Sequence, residues 1–358
     1  MRRRILIAIA ACFYYSSLVA LARWLTARAG PRVVVLIYHY ATGGDLRNHL
    51  LYLRRHYRLM HMEAALEELY TQRKDGRRTT DRRTPLVVTF DDGYRDNYTY
   101  AFELAKELQI PFTIYLIPGY IESGDHFWWL EGKRLVKRAQ VQDAIVDGRT
   151  YHLNVPEERE ALSRLIDARA RHAPSVAERE EFLASIRELL AVPSIVHEEE
   201  LPVMPVTWEQ VREMDESGWV SFGAHTMHHP ILSNITNPAE VQSEVIECRR
   251  VLAQKLGHPV RSLAYPVGQM QHIGEHVIQA VKQAGYEWAV TTNYGSNTPQ
   301  SERLLLNRIE ADVDQHWLVV AAEAAGLWGF FARLRWLPFI RKHFTNASYQ
   351  VVQNQGGS

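Results

Sequence analysis

Pro85-Leu86-Val87-Val88-Thr89-Phe90-Asp91-Asp92-Gly93 is an apolar, β-branched run that stops at two adjacent acids and a glycine. Six residues of this kind read as a buried strand. Carboxylates at the carboxyl end of such a strand stand at the mouth of a parallel α/β structure, where ligands bind. Gly93 lets the chain turn sharply there. Two neighbouring acids repel each other, and a cation beside them is a natural remedy. Asp-Asp-Gly by itself also suits a loop that caps a helix.

The flanks of this run repeat one rhythm. Residues 33–39 read as a strand, 50–69 as a helix with Leu50, Leu53, Tyr57, Leu66 and Leu69 at helical spacing, and 71–84 as a polar, basic surface loop. After Gly93, residues 97–108 read as a helix and 112–117 as a strand, so strand, helix and strand follow one another as in a parallel sheet. Residues 131–200 are rich in Arg, Glu and Ala and read as a helical insertion packed over the scaffold. The rhythm then returns with strands at 219–223, 260–264 and 287–291. Between them lies a helix opened by Asn237-Pro238-Ala239-Glu240 and closed by Gly257, the expected cap residues at each end.

A second cluster, Gly223-Ala224-His225-Thr226-Met227-His228-His229-Pro230, also follows a strand. His225 and His229 are four apart, so one tight loop can aim both at one point, and imidazoles suit zinc and related metals. With 16 histidines in the chain, chance pairs are common, and His228 is a competing ligand. Together the two clusters supply two imidazoles, one carboxylate as third ligand and a second carboxylate as general base. That is the inventory of a catalytic zinc site with an open position.

The sequence Thr89-Phe90-Asp91-Asp92-Gly93, then His225-Thr226-x-x-His229-Pro230, then Ala264-Tyr265-Pro266-Val267-Gly268 resembles the three successive motifs of the polysaccharide deacetylase family, in order and spacing. The likeness runs from about residue 33 to 312, apart from the insertion. It implies an α/β fold, an irregular (β/α) barrel. It implies Asp91 as catalytic base, and Asp92, His225 and His229 as ligands of a divalent metal, usually Zn2+. The implied reaction is hydrolysis of an N-acetyl group on a glucosamine-type sugar. Tyr265 and Val267 would lie at the oxyanion and substrate-binding positions, with the backbone N–H near Val267 helping to hold the oxyanion. Two departures stand out. Many members have an arginine, paired with the base, where Ala264 stands, and a tyrosine where Val267 stands. Many also carry a late Leu-x-His whose histidine is the general acid, and no such motif occurs here. Tyr38-His39 is similar to the Tyr-His of exported poly-N-acetylglucosamine deacetylases, which implies His39 as proton donor.

Arg2, Arg3 and Arg4 precede a nearly uncharged run at 5–22. Residues 1–29 therefore read as a signal peptide or signal anchor that leaves the catalytic domain outside the cytoplasm, with a buried N-terminal helix as the alternative. The organisation expected is 1–29, a deacetylase domain at 30–312 containing the 131–200 insertion, and a tail at 313–358. That tail mixes Trp328, Phe330, Phe331, Trp336 and Phe339 with Arg333, Arg335, Arg341 and Lys342, as at a membrane surface. Lys plus Arg and Asp plus Glu are both 41, so no net field favours nucleic acid. Cys12 and Cys248 are the only cysteines, too few for a disulfide framework. The function expected is N-deacetylation of an envelope amino-sugar polymer or glycoconjugate. The alternatives are a deacetylase or deformylase of a lipid-linked amino sugar, and a weakly catalytic carbohydrate-binding protein.

Overall fold

In the computed structural model, which describes residues 2–71 and 81–327 with side chains from residue 4, alternation along the strands decides what faces the site. Val33, Val35, Val87, Tyr115, Ala264, Trp288 and Val290 form one cluster. The intervening residues, among them Val34, Leu36, Val88, Phe90, Ile114, Phe222 and Leu263, form another with the surrounding helices. Side chains two apart share a face, so one set fills the barrel and the other receives the helices.

The chain opens with α1 (Arg2–Tyr15) and α2 (Leu18–Arg28). It continues through β1 (Val34–Tyr38), α3 (Leu46–His56), β2 (Arg58–Leu59), α4 (Met62–Tyr70) and β3 (Pro85–Phe90). A π-helical turn at Asn97–Phe102 leads into α5 (Glu103–Leu108), β4 (Phe112–Leu116) and α6 (Pro118–Ser123). Then come α7 (Trp128–Arg138), β5 (Asp143–Val146), β6 (Arg149–His152), α8 (Pro156–Arg171) and α9 (Val176–Leu189). The barrel resumes with α10 (Trp208–Glu216), β7 (Val220–Ala224), α11 (Pro238–Leu256), β8 (Ser262–Ala264), α12 (Glu275–Gln283), β9 (Trp288–Val290), β10 (Ile309–Glu310) and α13 (Trp317–Ala324).

The main sheet has eight strands in the order β10-β1-β3-β4-β7-β8-β9, with β2 also on β3, and its pairings are parallel. It curls into an irregular (β/α) barrel. The segment leading into β10 runs beside β9, with Leu306 N donating to Ala289 O at 2.9 Å and Thr291 N to Leu306 O at 2.8 Å. One end of the barrel is closed by Met62, Ala65, Leu66 and Leu69 of α4, which join the interior cluster. The carboxyl ends of the strands open the other way.

Three readings are corrected. The helix expected over 50–69 is broken: the chain leaves α3 at Tyr57, and β2 pairs with β3 (Arg58 with Pro85, Leu59 with Leu86) before α4 begins. Sheet pairing overrides helical spacing there. The helix expected over 97–108 starts as a π turn. The insertion is not wholly helical, because β5 and β6 form an antiparallel hairpin with Ala144, Val146 and Tyr151 turned inward. The two-residue β10 has no sequence signature at all. Among the described residues no single helix is long and apolar enough to cross a membrane. The bent pair Arg4–Tyr15 and Leu18–Arg28, meeting at 67°, passes that test together by length and composition. In the structure α1 lies on α13, with Ala10 buried against Leu318 and Val319 and the Tyr14 ring 5.0 Å from that of Trp317. Most of the 71–84 loop and the aromatic–basic tail lie outside the described residues.

Candidate metal centre and active site

Alternation along β3 carries Val87, Thr89 and Asp91 to the barrel interior, so Asp91 points inward as the next residue of that face. Asp92 would face outward if the strand continued. Instead its φ of +70° turns the chain, and both carboxylates reach the same cleft. On β7 the same logic places His225, whose N–H continues the ladder to Leu116 O at 2.8 Å. His229 returns to the cleft through a loop closed by its N–H donating to Thr226 Oγ1 at 3.0 Å. Of the eight non-glycine residues with positive φ among those described, Asp92, Thr226, His229 and Val267 all lie in the three motif loops. Such conformations cost roughly 1–3 kcal/mol each and persist where the surroundings enforce them, often at functional sites. For the β-branched Thr226 and Val267 the strain is greatest.

Asp92 Oδ1 lies 3.4 Å from His225 Nε2 and 3.6 Å from His229 Nε2. One ligand atom from each of the three buried residues falls within 4.8 Å of the others. Donors on a tetrahedral zinc shell with bonds of about 2.0–2.1 Å are roughly 3.3 Å apart, so the trio fits a metal with little adjustment. His225 Nδ1 is 2.8 Å from Ala264 O, which fixes the tautomer that presents Nε2. Burial opposes protonation of His225, yet Asp91 and Asp92 reverse this and push its pKa up. Burial and the His225 charge push His229 down to about 3, leaving a neutral imidazole. Burial pushes Asp92 up, but its hydrogen bond with His225 and the neighbouring imidazoles of His229 and His39 bring it down to about 2. An anionic carboxylate beside a neutral imidazole and one that attracts a proton is the electrostatics of a cation site. His228 is not a member of the trio: it does not line the cleft, and its side chain is turned to α11, where Nδ1 pairs with Glu244 Oε1 at 2.6 Å.

Asp91 takes no place in that trio. Its Oδ1 and Oδ2 accept from the two terminal nitrogens of Arg308, both at 2.7 Å. Arg308 is fully buried, its Nε donates to Thr291 O at 2.9 Å, and its guanidinium lies 5.7 Å from the Tyr115 ring centroid. Burial pushes Asp91 up, but Arg308 and His225 outweigh it and hold the carboxyl below its usual range. Arg308 is thus the partner that Ala264 does not supply, arriving from the opposite edge of the sheet. Sequence reading missed it. Its one available signal is a single charge inside Leu304-Leu305-Leu306-Asn307-Arg308-Ile309.

His39 lies just beyond β1 and lines the same cleft of about 250 Å3. Its loop is pinned from the π-helical turn. Asn97 Nδ2 donates to His39 O at 3.0 Å, while Asp96 Oδ2 accepts from Ala41 N at 2.7 Å and Thr42 N at 3.0 Å. Val267 also lines the cleft, and among the described residues its N–H has no backbone acceptor. Tyr265 differs: its N–H donates to Val290 O at 3.1 Å and its hydroxyl to Leu304 O at 3.0 Å. Both its donors are engaged, so Tyr265 lines the cleft without a free donor for an oxyanion. Tyr40, Tyr94, Trp128 and Trp129 form an aromatic wall, and Arg171 of α8 stands at the rim.

The polysaccharide deacetylase family model matches residues 78–289. YxkH of Bacillus subtilis strain 168, which bears a polysaccharide deacetylase name, is 21% identical over 290 residues, spanning 80% of this chain and 74% of its own. The Streptococcus pyogenes deacetylase PplD, solved in complex with acetate, superposes with a TM-score of 0.53 at 17% identity, covering 82% of this chain and 99% of that one. IcaB from Ammonifex degensii gives 0.50 at 19% identity, covering 83% and 98%. At these identities the two structures establish the fold.

Proposed function

This chain belongs to the polysaccharide deacetylase family, enzymes that hydrolyse carbohydrate N-acetyl amide bonds, and from that premise we propose that it removes N-acetyl groups from an amino-sugar polymer or glycoconjugate of the cell envelope. The observation that carries the reading is the division of labour between adjacent acids. Asp92 converges with two imidazoles, while Asp91 is held apart by Arg308. A module that only binds sugar needs no such second carboxylate.

Asp92, His225 and His229 would hold the metal, most simply Zn2+. When bound, it supplies Lewis-acid polarisation of the acyl oxygen and of a water. Asp91 takes the proton from the attacking water as the new C–O bond forms at the acyl carbon. The Val267 N–H donates to the oxygen that becomes negative. His39 gives a proton to the sugar nitrogen as the C–N bond breaks, and acetate and the free amine leave. The aromatic wall offers apolar faces to the sugar ring. The catalytic domain is assigned outside the cytoplasm, carried there by the N-terminal segment.

Acetate release from N-acetylglucosamine oligomers and peptidoglycan, measured alongside bound metal, tests this reading. Wild-type protein that binds no divalent metal and releases no acetate from any of these substrates ends it. His39→Ala is expected to lower kcat about 100-fold with metal content unchanged, and to remove the alkaline limb of the pH–rate profile. An unaltered profile shows that the leaving amine takes its proton elsewhere. A lipid-linked amino sugar, deacetylated or deformylated, is the second reading, favoured by the bent apolar pair at the N-terminus. It predicts turnover of micelle-borne substrate that falls when residues 1–29 are removed, while soluble oligomers remain poor substrates.

A further inference from the structure

The two histidines of the second motif are oriented in different ways. His225 uses its second ring nitrogen on Ala264 O at 2.8 Å. His229 does not: its Nδ1 is buried and without a partner among the described residues. Metal-ligating imidazoles are ordinarily fixed through that second nitrogen, so something else must hold this ring, on a backbone already strained at φ +54°.

What surrounds it comes from the insertion, which in the structure begins with α7 at Trp128 and not at residue 131. Trp128, the first residue of α7, donates its indole N–H to His229 O at 2.9 Å. Arg179 of α9, only 2% exposed, donates to His228 O at 3.0 Å. Two consecutive carbonyls of the loop are therefore held by two side chains of the insertion. The pair is itself coupled, with the Arg179 guanidinium 5.5 Å from the Trp128 ring centroid. Trp129 places its ring 4.4 Å from the His229 ring, and its own N–H donates to Tyr94 Oη at 2.7 Å. The opposite side of the loop is tied to α11, where Glu244 Oε2 accepts from His228 N at 2.8 Å.

We propose that the insertion is an orienting clamp for the metal centre, with Trp128 and Arg179 as positioning residues that fix the backbone from which His229 presents Nε2. This rests on the reading of His229 as a metal ligand. The insertion has its own core of Leu135, Leu162, Ile166, Leu183, Ile186 and Leu190. Packing in that core is thereby transmitted to the site through two hydrogen bonds and one ring contact.

The test uses the full chain and zinc alone, with affinity measured by competition against a chromogenic chelator. Trp128→Phe keeps an aromatic ring but deletes the donor together with the five-membered half of the indole, and Arg179→Met deletes the charge and the second donor. Each is expected to weaken zinc binding about 10–100-fold, the usual consequence of losing a ligand-orienting partner. On N-acetylglucosamine oligomers kcat falls and KM moves less than about threefold, and Arg179→Lys recovers part of the affinity. Zinc affinity within twofold of wild type in folded Trp128→Phe overturns the clamp. So does a rise in KM alone, which would make the insertion a wall of the substrate groove. If Arg179→Met does not fold, the Trp128→Phe affinity decides. Wild-type protein without zinc affinity refutes the metal reading itself, an outcome distinct from variants that match a zinc-binding wild type.

Discussion

Asp91→Asn is expected to retain bound metal near the wild-type level and to lower kcat about 10³-fold, which is roughly 4 kcal/mol of barrier. The amide has the shape of the carboxylate but does not accept a proton from water at any working pH. Asp92→Ala should behave in the opposite order. It removes the oxygen shared at 3.4 and 3.6 Å by the two imidazoles, so metal content falls to background and activity is lost as a consequence. Elemental analysis of the purified variants, followed by acetate release with zinc added back, separates the two roles. Asp91→Asn also leaves Arg308 facing an amide N–H2 where it had a second acceptor. Some loss of thermal stability therefore accompanies the loss of turnover, and a melting curve shows that the assayed protein is folded. If Asp91→Asn loses its metal while Asp92→Ala keeps it, the two assignments are exchanged.

The parts of this site that the sequence displays share one property: each is local. A β-branched strand closed by two acids, a histidine pair four apart and a strand ending in Tyr38-His39 each fit within one element and its loop. Their convergence follows once parallel strands deliver their carboxyl ends to one mouth. Arg308 is invisible by the same criterion, because 217 residues separate it from Asp91 and the strand it precedes is two residues long. The clamp from Trp128 and Arg179 fails the test of locality too, since its acceptors are backbone carbonyls and any sequence provides those. Helix boundaries are legible where cap chemistry is explicit, as at Asn237 and Gly257, the latter at φ +76°. They are lost at Arg58-Leu59, where a strand partner decides the conformation. The hairpin of β5 and β6 hides in a charged segment because only Ala144, Val146 and Tyr151 need face inward.

Replacing Arg308 should have the largest effect on stability of any single change at the site. Arg308→Met leaves the Asp91 carboxylate buried and unpaired, and breaking one side of such a pair costs about 3–5 kcal/mol. The sign with pH follows from the Asp91 carboxyl. Its folded-state pKa is depressed, with Arg308 and His225 overriding burial. The pair's contribution is therefore fully present above the unfolded carboxyl value of about 3.9 and is lost as pH falls through the lower folded value. In Arg308→Met burial works with far less opposition, so the Asp91 carboxyl rises. The stability deficit is then largest at neutral pH and shrinks on acidification, because protonation relieves the buried charge. The acid limb of the pH–rate profile moves to higher pH for the same reason. Arg308→Lys keeps a charge but loses the two-pronged geometry to Oδ1 and Oδ2, so it should recover only part of the stability. In the double variant Arg308→Met/Asp91→Asn both charges are gone, and the combined loss should be clearly smaller than the sum of the single losses. Denaturant melts of the four proteins at pH 7 and pH 4 measure that coupling. Additive losses at both pH values would mean that Arg308 acts through Thr291 and Tyr115 alone and does not set the charge of the base.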